Sequence, residues 1–246
     1  MTSDSQGITT CARYAFAPNY FHYCGPEKQE DLKTYVTSSL AAKGLTEILH
    51  QFETLYPYLV LIASANRIHN AFDPRVVEAY WLGNALTRRV PISAYGTLLT
   101  ETLTMKKRLP AVGSSAVMEK AVGGLPHHTS HVLNLFIRTG HHAITHTLST
   151  LDECRISWGQ IMNIDNKFQR YIVKTRPLEY DNDKLRLGAP GMRTVTSVGV
   201  QPTKGQWVSL HWGFICDILS VQQVRNLNSF TATAIAYANT NNIVSL

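Results

Sequence analysis

Cys154-Arg-Ile-Ser-Trp158-Gly159-Gln-Ile161 opens a change of texture in this chain, and Trp207-Val-Ser-Leu-His211-Trp212-Gly213-Phe-Ile215, whose histidine stands fifty-seven residues after the cysteine, lies within it. From about Leu151 onward, strand-like runs occupy 155–164, 168–177, 193–200 and 206–212. Between them fall Asp165-Asn166, Asp181-Asn182-Asp183, the stretch from Gly188 to Gly191, and Lys204-Gly205, residue types that tolerate or impose turns. Several short strands with turn chemistry between them predict a small OB-like β-barrel, because a closed sheet leaves no exposed edge. Such a barrel can bring the start of one strand beside the end of a later one, which would place the Cys154 thiolate next to the His211 imidazole. Together these form a soft-to-intermediate donor pair suited to iron, copper or zinc.

The barrel is followed by a predicted helix over about 221–238. Ser220 and Gln223 have the spacing of a capping box, and Leu219 and Val224 that of a hydrophobic staple,. The chain before Leu151 reads differently. Its first twenty-six residues are expected to be an irregular segment whose rings, Tyr14, Phe16, Tyr20, Phe21 and Tyr23, cover a core. Apolar residues then recur at helical spacing through Leu32, Tyr35, Val36 and Leu40, and again from Leu45 to Leu55, with Gly44 as a break and Pro57 as a stop,. Asp73-Pro74 forms an N-cap and first-turn pair for a helix reaching about Ala85, in which Trp81 shares an apolar face with Val76, Val77 and Tyr80 and is read as core. Further helices are expected near 92–107 and 114–122, with Gly123-Gly124 ending the latter. The fold class is α+β: a mainly helical domain over 1–150, then a barrel with a closing helix over 151–246.

Composition limits the functions open to this chain. With 44% hydrophobic and 16% charged residues, 246 residues can bury a sizeable core,. The charge of +6 is evenly shared, with 13 Lys and Arg against 10 Asp and Glu before Leu151 and 10 against 7 from there on. Lys106-Lys107-Arg108 is a small local run, and no basic stripe of the kind that binds nucleic acid is present. The N-terminal segment lacks the basic and apolar regions of a signal peptide, and no uninterrupted apolar run approaches the roughly 18–20 residues of a membrane span. Four cysteines in that context read as thiols rather than a disulfide frame,. A cytoplasmic protein that binds neither nucleic acid nor membrane is expected. There is no Gly-rich phosphate loop, no Gly-x-Ser-x-Gly elbow and no Cys-x-x-Cys pair,.

Taken together, Cys154-Arg-Ile-Ser-Trp-Gly-Gln-Ile-Met-Asn-Ile resembles the opening strand of the HypC/HupF family of nickel-iron hydrogenase assembly chaperones, Cys-x-(Ala or Ile)-Pro-Gly-(Lys or Gln)-Val. Lys204-Gly205-Gln-Trp-Val-Ser-Leu-His211-Trp-Gly213-Phe-Ile is similar to that family's later Val-Gly-Asp-Tyr-Val-Leu-Val-His-Val-Gly-Phe-Ala. The likeness covers about residues 152–240. It implies a metallocentre assembly factor rather than an enzyme, holding iron that carries cyanide and carbon monoxide through Cys154 and His211, with Trp158, Gly159, Trp212 and Gly213 around the bound fragment. The implied partners are a hydrogenase maturation scaffold protein and the hydrogenase large subunit. The chain also departs from the pattern. About 150 residues precede Cys154, so a terminal amine has no role, and Trp158 stands where the family has proline. In the first half, Ala12-Arg-Tyr-Ala-Phe-Ala-Pro-Asn, Tyr23-Cys24-Gly-Pro and Val76-Val-Glu-Ala-Tyr-Trp-Leu-Gly-Asn resemble a bacterial family of unassigned function associated with hydrogenase gene clusters.

A second cluster is denser in histidine: His127, His128 and His131, then His141, His142 and His146. If 127–137 is helical, His127 and His131 lie one turn apart, as metal-binding helices arrange their ligands. This supports an alternative reading, a metal-dependent enzyme using His127, His128 and His131. Histidine pairs also cap helices and satisfy buried carbonyls. His22 and Cys24 in the N-terminal segment are read as packed groups rather than ligands.

Overall fold

In a computed structural model, the structure describes residues 3–38, 43–102, 124–135, 147–165, 168 and 170–240. The N-terminal region is helical: α1 (Ser3–Tyr20), α2 (Gln29–Ser38), α3 (Lys43–His50), α4 (Leu55–Ala65), α5 (Pro74–Trp81), the single turn α6 (Ala85–Arg88) and α7 (Ile92–Thr97), which runs into a π-helical turn at Leu98–Thr102. After α8 (His128–Asn134) and α9 (Leu148–Cys154) come seven strands, β1 (Ser157–Asp165), β2 (Arg170–Thr175), β3 (Leu178–Asp181), β4 (Lys184–Leu187), β5 (Gly191–Ser197), β6 (Trp207–His211) and β7 (Phe214–Leu219), and the closing helix α10 (Val221–Thr240).

Five strands close a barrel in the order β1-β2-β5-β7-β6, and β3 and β4 form a separate hairpin inserted between its second and third strands. All neighbours in the barrel are antiparallel except β5 and β7, which run parallel. Ile161, Val173, Val195, Val208, Leu210 and Ile215 fill its interior. The α+β architecture expected from the sequence, helices followed by a small barrel and a closing helix, is the one observed. Within it, the hairpin β3–β4 and strand β7 were not anticipated. The Asp181-Asn182-Asp183 turn links two short strands instead of separating longer ones, with Asn182 and Asp183 both at positive φ.

Four local expectations are corrected. The aromatic N-terminal segment is a helix through Tyr20, buried on almost every side from Cys11 to Asn19; Tyr14 and Phe16 are core, whereas Tyr20 and Phe21 are exposed and Tyr23 is half-buried. Pro57 does not stop a helix but sits in the first turn of α4, where its missing N–H leaves no bond unmade. Gly44 lies inside α3, not at a break. Helix α5 ends at Trp81 rather than near Ala85, because the Asn84 side chain accepts from Leu86 N at 2.9 Å and caps a new turn. The expected helix over 114–122 falls outside the described residues, as do His141, His142 and His146 and the part of 92–107 beyond Thr102.

The barrel and the helices share buried surface. Ile156, Cys216, Leu219 and Leu227 belong to the same apolar cluster as Tyr14, Tyr58, Val77 and Trp81. A smaller cluster gathers Val132 and Leu133 of α8, Leu151 and Cys154 of α9, Leu178 and Leu185 of the hairpin, and Ala234, Ile235 and Ala238 of α10. The ends of α8 and α9 and the outer face of β6 therefore meet where α1 and α5 cover the barrel.

Candidate metal centre

Strand β6 is buried on both faces, and alternation divides its side chains. Val208 and Leu210 enter the barrel core. Ser209 and His211 project the other way, toward α1, where Tyr14 holds both. The Tyr14 hydroxyl lies 2.8 Å from Ser209 Oγ, and the Tyr14 carbonyl accepts from His211 Nδ1 at 2.8 Å. Because a carbonyl only accepts, Nδ1 carries the ring proton and Nε2 is left with a bare lone pair. That Nε2 is buried and has no hydrogen-bond partner among the described residues. Burial pushes the imidazole pKa down to about 4 against the opposing pull of the Tyr14 and Cys154 carbonyls, so the ring is neutral,.

Cys154 is the last residue of α9. A helix leaves its final carbonyls without intrahelical donors, and here two of them recruit the rest of the site. The Glu153 carbonyl accepts from Trp212 N at 2.9 Å, which draws in the turn directly after His211. The Cys154 carbonyl accepts from His128 Nε2 at 2.9 Å. On the other side of that ring the Tyr80 hydroxyl lies 3.3 Å from Nδ1, so His128 is a neutral imidazole with both nitrogens engaged. Burial, followed by the neighbouring His211, holds its pKa well below the usual value. The α9–β1 joint is fixed by Arg155, whose guanidinium is buried against the Asp152 carboxylate at 2.7 Å and the Arg176 carbonyl at 2.7 Å.

His128, Cys154 and His211 each bring a donor atom within 4.8 Å of the other two, the one group of three such side chains found among the described residues. All three are nearly inaccessible, at 9%, 7% and 1% exposure. The Trp81 ring lies 4.6 Å from that of His128 and 5.8 Å from that of His211, so Trp81 is core and also a wall of the site. A thiolate with two neutral imidazoles, and no carboxylate, suits zinc, copper or iron rather than magnesium or calcium. The bare, buried Nε2 of His211 fits a ligand role, because metal-bound histidines characteristically donate their other N–H to a carbonyl. Binding would displace the thiol proton of Cys154 and one of the two bonds of His128. Three protein ligands leave a fourth position for an exogenous group.

The structure thus brings together the two residues of the sequence-derived pair and one member of the histidine cluster. Its other described members, His127 and His131, turn to different partners. Helix α8 begins at His128 with His127 as its extended N-cap, and the His127 carbonyl accepts from His131 N at 2.9 Å, so the two residues are one turn apart but their rings part company. The His127 ring packs 5.0 Å from Phe230, and His131 Nδ1 lies 2.9 Å from the Tyr58 hydroxyl. Trp212 and Gly213 form the two-residue turn between β6 and β7, both with positive φ, as a type I′ hairpin requires. Trp212 then packs against Tyr23, the ring centroids 4.5 Å apart and the planes tilted by 51°. Half-buried Trp158 packs against the main core, and Gly159 lies under β2. His22 is bonded to Gln29 at 3.1 Å and stands outside the metal-ligand group, as does Cys24.

Over residues 3–245 the chain matches a family of unknown function, DUF6390, and it belongs to that family. No curated protein and no solved structure matches it. Among the described residues no helix is long and apolar enough to cross a membrane.

Proposed function

We propose that this member of DUF6390 is a metallocentre assembly factor, which holds an iron fragment through Cys154, His211 and His128 and hands it to a partner protein. The observation that carries the reading is the convergence of those three donors within 4.8 Å in a buried, carboxylate-free setting. The likeness of the Cys154 and His211 segments to the HypC/HupF chaperones supports iron carrying cyanide and carbon monoxide as the cargo. It also supports a maturation scaffold protein and the hydrogenase large subunit as partners. The sequence-derived alternative, a metal-dependent enzyme built on His127, His128 and His131, is less favoured, because two of those rings are turned away toward Phe230 and Tyr58.

Anaerobically purified protein is the test material, assayed for metal content and by infrared spectroscopy in the cyanide and carbonyl stretching region. The reading expects about one iron per chain with those bands, and loss of both in Cys154→Ala and His128→Ala while the circular dichroism spectrum is kept. Iron that survives Cys154→Ala but disappears in His127→Ala or His131→Ala would overturn it in favour of the enzyme.

A further inference from the structure

His211 presents Nε2 only because its other nitrogen is engaged, and the group that engages it owes its availability to a proline on a different element. Pro18 lies inside α1, four residues after Tyr14. In a regular helix the amide of residue 18 would bond to the carbonyl of residue 14. Proline has no N–H, and its ring crowds the carbonyl four residues back, turning it outward. The Tyr14 carbonyl is the one that receives His211 Nδ1–H at 2.8 Å.

We infer that Pro18 is a positioning residue for the metal centre: by withholding the helical donor from the Tyr14 carbonyl, it keeps that oxygen for His211 and locks the tautomer whose Nε2 is available to Cys154 and His128. The surroundings hold the arrangement in place. Tyr14 is fixed at its far end by Ser209 at 2.8 Å and stacks on Trp81 at 5.1 Å. The neighbouring Arg13 bonds the Cys216 carbonyl at 2.8 Å and Asp217 at 2.9 Å, so α1 is tied to β7 as well as, through Tyr14, to β6. The chain beyond the proline is likewise secured, where the Pro18 carbonyl accepts from Tyr23 N at 2.7 Å and Cys24 N at 3.2 Å. In the isomeric tautomer the Tyr14 carbonyl contact would be lost and Nε2 would carry a proton on the side of the Cys154 carbonyl, closing the nitrogen to metal.

The inference rests on the metal-site reading for its purpose, but its two readouts separate the pair of claims. Long-range proton–nitrogen correlation spectra of the metal-free protein report which nitrogen of His211 is protonated, and zinc titration reports affinity. Wild-type protein is expected to show protonated Nδ1 and bare Nε2. In Pro18→Ala, which favours helix, the regained amide competes for the Tyr14 carbonyl. The expected result is a partial shift to the Nε2–H tautomer and roughly tenfold weaker zinc binding, at the lower end of the 10–100-fold typical of lost outer-shell partners. An unshifted tautomer and unchanged affinity in folded Pro18→Ala would overturn the inference, and so would a protonated Nε2 in the wild type, whether or not the variant folds. A shifted tautomer with no zinc binding to either protein would sustain the positioning role and overturn the metal reading.

Discussion

At Gly159 the absence of a side chain has a packing cause that is independent of any ligand. A Cβ there would stand 2.4 Å from Val173 Cγ1 and 2.6 Å from the Lys174 carbonyl oxygen. Both strands are held in the barrel ladder, and Val173 fills its interior, so neither can retreat. Gly159→Ala should therefore destabilise the fold by about 1–3 kcal/mol, the usual cost of overpacking. A urea midpoint within error of wild type would show that the strands do yield. At this scale the sequence conveyed chemistry better than geometry. Cys154 and His211 were legible as a donor pair from their residue types and their places in the strand-like stretch. His128 was legible only as part of the wrong trio, because regular spacing pairs it with helical neighbours while its actual partner is a carbonyl twenty-six residues away. Pro18 carried no metal signal, since its effect passes through the backbone of Tyr14.

Elements were read well where their ends carry local chemistry. The capping box expected at Ser220 is present in both directions: Gln223 N donates to Ser220 Oγ at 3.2 Å and Ser220 N donates to Gln223 Oε1 at 2.9 Å. Ser220→Ala should cost about 1 kcal/mol, seen as a lower thermal midpoint with unchanged helix content in the folded protein. A midpoint equal to wild type would mean that packing alone fixes the start of α10. Asp73 likewise caps α5 as its sequence implies, accepting from Arg75 N at 2.9 Å. Reading failed where burial overrides local pattern. Helix α1 is buried nearly all round and so lacks the one-sided periodicity that marks a surface helix,. Strand β7 follows a two-residue turn so closely that β6 and β7 merge into one apolar run.

Among the described residues, three of the four buried imidazoles have lowered pKa values and make stability depend on pH. Desolvation lowers the pKa of His127 to about 3 and of His211 to about 4, and holds His128 well below its usual value. Once unfolded, each ring takes up a proton near pH 6.5. Between these values the unfolded chain binds more protons than the native one, so stability rises with pH. The contribution is complete above about 6.5 and is lost as the pH falls through the native values. For His211 alone this amounts to roughly 3 kcal/mol. Asp217, whose carboxyl burial raises, works in the opposite sense at acid pH. Comparison with His211→Asn removes that contribution. The urea midpoint should fall between pH 7.5 and 4.5 in both proteins, and less steeply in the variant; parallel declines would contradict the assignment.

The contacts that seat His211 join residues about two hundred positions apart: Tyr14 to Ser209 and His211, and Arg13 to Cys216 and Asp217. A ribosome adding about 5–20 residues per second releases α1 many seconds before β6 exists. During that interval the helix has neither the strand that covers it nor the imidazole that takes its spare carbonyl. Closing so long a loop is a late folding step. A nascent chain therefore passes most of its synthesis before His211 can join Cys154 and His128, and the three-donor group of the candidate centre is complete only once translation has passed β6 and helix α1 has met that strand.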